Sequence, residues 1–310
     1  MMKSKKSKVF AVLAAAAVFT GVFAGCADTG TQTNPNTTTS GTTSAGTTTT
    51  ADGTAVLAAM QAAQEEQADF NATMVMDIQM SAAGQAANVT LNTDMQQKGD
   101  IIYMNMDMDA AGMPSQTETY IVRDGAGQGG TMYVNQGGTW TGTPVTAEQL
   151  GTQTSSVAIA VPEGVEVTNA GSGQFNGQEA TVLEYNLTGD ALVNQLTAQG
   201  TITAEAAESA RDMSVTARIY VDPTTNLPVG SEIDMTDVYG PLMTSMYPGQ
   251  PVEVTTAKTT ITFNAWGTNV SNIVLPDGIT PPASASGTES GTESADTASG
   301  TEADTSSATA

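Results

Sequence analysis

The chain has 310 residues and no histidine, and its 32 Asp and Glu against nine Lys and Arg give a formal net charge of −23 at pH 7. Such an acidic chain repels nucleic acid and anionic lipid headgroups, which excludes a nucleic-acid binder and a headgroup-docking module. The missing histidine removes Ser-His-Asp and Cys-His catalysis, most zinc sites and histidine-based pH switches.

The first residues have the pattern of a secretory signal. Four lysines precede an apolar run that ends at Ala24-Gly25-Cys26, and this run is shorter than the ~20 residues of a membrane-spanning helix. Residues 1–25 resemble a bacterial lipoprotein signal peptide, although Phe23 stands where Leu is usual. The resemblance implies that Cys26 is acylated, with chains such as palmitate, and becomes the mature N-terminus. The alternative is a plain signal peptide with an incidental cysteine.

Two segments have the composition of unfolded chain. Residues 26–53 are mostly Thr, Ser, Gly and Asn, and residues 281–310 are similar with acids added. Because such segments bury too little apolar surface to fold, we predict a tether and an acidic tail. Residues 54–280 remain as one domain. Cys26 is the only cysteine, so this domain has no disulfide and no catalytic thiol.

The domain begins with a predicted helix and continues as strands. In residues 54–67, Val56, Leu57, Met60 and Ala63 recur at helical spacing. The period then changes to two, which predicts a half-buried antiparallel strand. Its apolar face consists of Phe70, Ala72, Met74, Met76, Ile78 and Met80.

Similar alternation continues along the first half of the domain. Val89, Leu91 and Met95 alternate, residues 102–108 follow, and ETYIVRDG and TMYVNQGGTW come next. Breaks rich in Gly, Asn and Asp separate these strands at hairpin spacing. Thr146 and Gln149 are then placed as a capping box that begins a short helix.

The second half repeats this organisation with helices inserted. VEVTNAG and ATVLEYNLTG are predicted strands joined by an Asn-Gly turn. Asp190 can cap a helix over ALVNQLTAQ, and AEAAESARDM is a second predicted helix. Three strands, MSVTARIYVD, VGSEIDMTD and VEVTTAKTTITFNAW, complete the domain. Nine or ten strands with few helices predict an α+β fold with a largely antiparallel sheet.

This order of elements resembles a known superfamily. A helix, a long meander, NGQEATVLEYNLTGD, a helical insertion, ARIYVDPTTNLPVGSEIDM and a terminal NIVLPDGI are similar to the LolA/LppX-like superfamily of lipoprotein and lipid carriers. Gram-positive LolA-like lipoproteins of unknown function are the nearer likeness. The resemblance implies a strongly curved half-barrel with a few helices on its concave side and an apolar cleft between them. Carriers of this shape hold acyl chains there, whereas related domains sense envelope signals.

Residues 103–118, YMNMDMDAAGMPSQTE, have some features of a calcium loop. Asp107, Asp109, Gly112 and Glu118 have the EF-hand spacing. One ligand position lacks a side-chain oxygen, however, and both flanks alternate as strands where an EF-hand has helices. We therefore expect a strand that ends in a hairpin turn, and no metal.

The methionines allow two further interpretations. Thioethers suit Cu(I), but alternate strand positions lie about 7 Å apart, and the histidine that copper sites commonly recruit is missing. Methionine is also overused on surfaces that accept varied apolar partners. A hydrophobic cleft and a face simply covered by helix 54–67 both remain open for the set Met74, Met76, Met80, Met104, Met106 and Met108.

Residues 239–251, YGPLMTSMYPGQP, are predicted as a loop that is too apolar to be solvated. It would be either a flap over the cleft, formed by Leu242, Met243, Met246 and Tyr247, or a loop folded back on the core.

Together these features predict a monomeric, membrane-anchored extracytoplasmic lipoprotein, on a Gram-positive membrane, that binds an acyl chain or lipid non-covalently. The expected partners are the membrane and this ligand, with no cofactor and no catalysis. The alternative is a structural or sensory envelope module that contacts a protein and holds no small ligand.

Overall fold

The computed structural model describes residues 51–279, except 83–84, 125–128, 148, 151–158, 160, 163, 199–209 and 247–251. Several predicted features therefore lie outside the described residues. They are the signal peptide, Cys26, nearly all of the tether, the acidic tail, Tyr247 and most of the helix predicted over AEAAESARDM.

The described residues form one twelve-stranded sheet with the order β1-β8-β9-β10-β11-β12-β2-β3-β4-β5-β6-β7, and every strand pairing is antiparallel. The sheet is curved and open, so the predicted α+β half-barrel is confirmed. The strands are β1 (Ala51–Asp52), β2 (Phe70–Ala82), β3 (Gln85–Lys98), β4 (Ile101–Ala110), β5 (Met113–Arg123), β6 (Gly129–Gln136), β7 (Thr139–Thr146), β8 (Val167–Phe175), β9 (Gln178–Thr188), β10 (Ser214–Val221), β11 (Pro228–Asp234) and β12 (Val252–Trp266).

Local turn chemistry sets the hairpins. Between β8 and β9, Asn176 and Gly177 have φ angles of 49° and 84°, as a type I′ turn requires at both central positions. Ala111 and Gly112 join β4 to β5 with φ angles of 53° and 81°. Both turns were predicted, so the strand ending in a hairpin within residues 103–118 is confirmed.

Three α-helices have both ends within the described residues: α1 (Thr54–Glu66), α2 (Gly189–Ala198) and α3 (Thr236–Met246). All three place apolar side chains in the main core, together with strand residues from one face of the sheet. This face is called the inner face. No described helix has both the length and the apolar character needed to cross a membrane.

The short helix after β7 begins as predicted. The Thr146 backbone N–H donates to Gln149 Oε1 at 2.8 Å, and the Gln149 backbone N–H donates to Thr146 Oγ1 at 3.3 Å. These reciprocal bonds are a capping box. By contrast, Asp190 lies inside the first turn of α2 and pairs with Arg211 at 2.6 Å, so it does not precede the helix as predicted.

The prediction of a loop over residues 239–251 is wrong for its first part, because residues 239–246 belong to α3. Gly240 and Pro241 suggested chain breaks, yet Val238, Tyr239, Leu242 and Met243 share one helical face and are buried. Burial of this apolar stripe outweighs the backbone hydrogen bond that Pro241 removes from the helix.

Candidate functional site: the inner face of the sheet

The inner face carries a continuous apolar surface across β2, β3 and β4. Residues directly opposite each other on antiparallel strands point to the same side of a sheet. Met76 lies opposite Leu91, and Leu91 lies opposite Met108. In the same way Ala72, Met95 and Met104 form a second row. The six predicted methionines of β2 and β4 therefore share one face of the sheet.

The methionines of this face differ in burial, and Met74 of β2 is only half-buried. Met76 and Met80 are 5% and 4% exposed. The β4 methionines, Met104, Met106 and Met108, are only half-buried, although they contact the main core. Their partners on β5 are Thr119, Thr117 and Ser115, of which the last two are exposed. The middle of β4 therefore presents a partly accessible methionine row, between the buried Ile102 and Ala110.

Met104 joins two apolar clusters. It packs against the main core and also against a smaller cluster of Ile102, Ile121 and Leu150. Leu150 lies just beyond the capping box, so the start of the short helix after β7 packs against Ile102 and Ile121. Met104 thus lies at the boundary between these two clusters and is only partly buried by them.

One polar residue interrupts the apolar surface. Thr93 on β3 lies opposite Met74 on β2 and Met106 on β4. Its side chain is buried at 3% exposure, and its Oγ1 has no hydrogen-bond partner among the residues that the structure describes. The sequence interpretation missed Thr93. The available signal was a break in the alternation, since Val89, Leu91 and Met95 surround a threonine at an inward position.

The predicted flap residues fall into two groups. Leu242 and Met243 are 1% and 0% exposed in α3, so in this conformation they belong to the core. The side chain of Met246 and all of Tyr247 lie outside the described residues. Beside Leu242 and Met243, the Tyr239 hydroxyl reaches Met76 Sδ at 4.0 Å, and burial raises the pKa of Tyr239. Helix α3 thus contacts Met76 of β2 through Tyr239.

A shallow groove of about 640 Å³ lies between α3 and β12. Asp237 and Glu253 place two carboxylates in its lining, and these would lose hydration beside a hydrocarbon ligand. Its lining residues are Thr236, Asp237, Gly240, Pro241, Thr244, Val252, Glu253 and Val254.

The carboxylates of residues 103–118 serve the hairpin. Asp109 Oδ1 accepts a hydrogen bond from the Gly112 backbone N–H at 2.7 Å, and Asp107 accepts one from Asn105 at 3.1 Å. Strands β4 and β5 flank the turn where an EF-hand would have helices. Across the part of the chain that the structure describes, no three Asp, Glu, Cys or His side chains converge as metal ligands.

Carboxylates with shifted pKa values also have structural roles. Burial by itself would raise the pKa of Asp222, but hydrogen bonds from the backbone N–H groups of Thr225 and Thr224 hold it below its ordinary value. Asp234 shows the same balance, with Thr236 as the donor. A general acid needs a raised pKa instead, so these two carboxylates are suited to capping turns and helices.

The fold and this face define an open antiparallel half-barrel whose inner face is apolar and packed with helices. The search of solved structures finds similarity to the lipoprotein LppX from Mycobacterium tuberculosis, with 10% identity, a TM-score of 0.37, and coverage of 70% of this chain and 96% of that chain. LprF from Mycobacterium bovis is similar at 13% identity and a TM-score of 0.35, covering 71% and 97%. A DUF1329 family protein from Desulfovibrio piger is similar at 10% identity and a TM-score of 0.25, covering 72% and 96%.

The similarities to these solved structures are weak, with TM-scores from 0.25 to 0.37 and identities from 10% to 13%. At such TM-scores and identities they indicate nothing about a ligand. No protein-family model matches the chain, and no curated protein matches it.

Proposed function

We propose that this protein is an extracytoplasmic lipoprotein that binds an acyl chain or another hydrophobic ligand non-covalently along the methionine row of β4. In this proposal Cys26 carries the lipid anchor, residues 26–53 are the tether, and residues 281–310 are a solvated tail. The anchor would hold the domain at a Gram-positive cell membrane, and the ligand would be bound and released without a covalent step.

The observation that carries the proposal is the change in burial across the inner face. A closed core would bury all six methionines, yet Met104, Met106 and Met108 on β4 and Met74 on β2 stay half-buried, whereas Met76 and Met80 are buried. An acyl chain lying on the three β4 methionines would remove their remaining apolar surface from water, at roughly 25 cal/mol per Å². Because methionine is flexible and polarizable, such a row can adapt to chains of different shape.

A second candidate is supported by a different observation. Two inward methionines of β2, Met76 and Met80, are buried in the main core, which also contains residues of α3. If the same packing extends over β4, the domain is a structural or sensory module that contacts a protein and holds no small ligand.

Native mass spectrometry of residues 27–310 would separate the two candidates. This chain keeps every residue that the structure describes and omits only the predicted signal and Cys26. We expect an adduct of lipid mass that is released on denaturation. A clean apo mass, together with no uptake of a fluorescent fatty acid, would contradict lipid binding and favour the second candidate.

The anchor can be tested separately with Cys26→Ser in the full-length chain. We expect incorporation of a clickable palmitate analogue into the wild-type chain and complete loss of this label in the variant, because Cys26 is the only cysteine. Labelling of the variant at the wild-type level would show that the acyl group is attached elsewhere.

A further inference from the structure

Thr93 is a buried polar residue without a partner on an otherwise apolar surface. It is 3% exposed, and its Oγ1 makes no hydrogen bond within the described part of the chain. Met74 and Met106 lie opposite it on the neighbouring strands, and Leu91 and Met95 are the adjacent inward residues on β3. The inward neighbours of Thr93 within β2, β3 and β4 are therefore apolar.

An unpaired buried hydroxyl is unfavourable, because folding removes its hydrogen bonds to water and replaces them with nothing. Valine has nearly the same shape and suits a strand equally well. A trapped water would not solve the problem, because it needs two or more polar partners and the neighbouring side chains offer none. The hydroxyl thus has unused capacity to donate one hydrogen bond.

We infer that Thr93 donates a hydrogen bond to the carbonyl oxygen of a neutral acyl ester that lies along the methionine row of β4. This inference rests on the proposed function and identifies the class of ligand at the same site. Thr93 lies directly opposite Met106 and is 3% exposed, so a chain on Met104, Met106 and Met108 would reach the hydroxyl by displacing the side chains that bury it. The hydroxyl would then select a ligand with an oxygen acceptor at this point of its chain.

Charge favours an ester over a free carboxylate. A carboxylate beside Thr93 would be surrounded by Met74, Leu91, Met95 and Met106, with no cation to compensate the loss of hydration. An ester carbonyl accepts the hydrogen bond, carries no charge and brings no additional donor that would need a partner. The site is therefore matched to a neutral oxygen acceptor within an apolar chain.

The test compares two probes on residues 27–310, namely methyl laurate and an alkane of equal chain length. Affinities come from displacement of Nile red. We expect the wild type to prefer the ester, and Thr93→Val to lose about tenfold in ester affinity while alkane affinity is kept. Thr93→Ser should retain the preference. Thr90→Val is the matched control, because Thr90 lies on the same strand between Asp77 and Asp109 on the opposite face.

Two further measurements separate binding from a structural role. The infrared carbonyl stretch of an isotope-labelled ester should move to lower frequency in the wild type and remain at its apolar-solvent position in Thr93→Val. The ligand-free Thr93→Val variant should unfold at a higher temperature than the wild type, because it no longer buries an unpaired hydroxyl. The inference would be overturned if Thr93→Val unfolded at a lower temperature than the wild type and the bound ester had the same carbonyl frequency in both proteins. Thr93 would then have a structural role.

The remaining outcomes also give clear answers. Wild-type ester preference in Thr93→Val would overturn the inference and leave the proposed lipid binding intact. Binding of neither probe by the wild type would contradict the proposed function, and the inference with it.

Discussion

Replacing both Met104 and Met106 with aspartate should abolish uptake of a fluorescent fatty acid while the domain remains folded. Both side chains are half-buried, so the new carboxylates can stay hydrated when the site is empty. A bound acyl chain would remove that water and leave two charges against hydrocarbon. We expect a loss of at least about 100-fold in affinity, or roughly 2.7 kcal/mol. Fluorescence titration measures the affinity, and circular dichroism checks the fold.

The matched control adds the same charge to the other face of the sheet. Val75 and Gln79 are exposed on β2, on the side opposite Met74 and Met76. The double variant Val75→Asp with Gln79→Asp should bind like the wild type. Unfolding of the Met104 and Met106 variant would mean that the row is closed core. A folded variant with wild-type affinity would place any ligand elsewhere.

Leu242→Ala should destabilise the domain by about 2–5 kcal/mol, because it leaves a cavity beneath α3 where the leucine is 1% exposed. The midpoint and slope of urea unfolding give this free energy directly. Thr244→Ala, at an exposed position of the same helix, should change the free energy of unfolding by less than about 0.5 kcal/mol.

This experiment also tests the hypothesis that residues 242–247 form a flap. A flap residue is needed mainly when a ligand enters or leaves, so its truncation would alter ligand exchange rates and leave the unfolding midpoint nearly unchanged. If Leu242→Ala behaves in that way, the conformation with α3 packed on the sheet is not the dominant one in solution.

The elements that were predicted correctly depend only on residues that are close together in the chain. The turn at Asn176 and Gly177 needs two positive φ angles, which these residue types supply wherever the sequence places them. The capping box of Thr146 and Gln149 likewise spans only a few residues. Strand alternation in β2 is equally local, because successive side chains always point to opposite faces.

Helix α3 was missed because its local and tertiary signals conflict. Gly240 and Pro241 are unfavourable inside a helix, and taken alone they predict a loop. The sheet beneath them provides an apolar surface that Leu242 and Met243 bury completely. Thr93 was overlooked for a related reason, since no local pattern shows that an inward threonine will lack a partner.

The sequence by itself determined the strong negative charge, the absence of histidine, the single cysteine at Cys26 and the shared face of the methionines. These properties follow from composition and from the two-residue period of a strand, so they do not depend on what packs against the sheet. Only the tertiary structure decided that Met76 is buried, that Met104 and Met106 remain half-buried, and that Thr93 is buried without a partner. Burial depends on which distant helix covers each strand, and residues far apart in the chain set that packing.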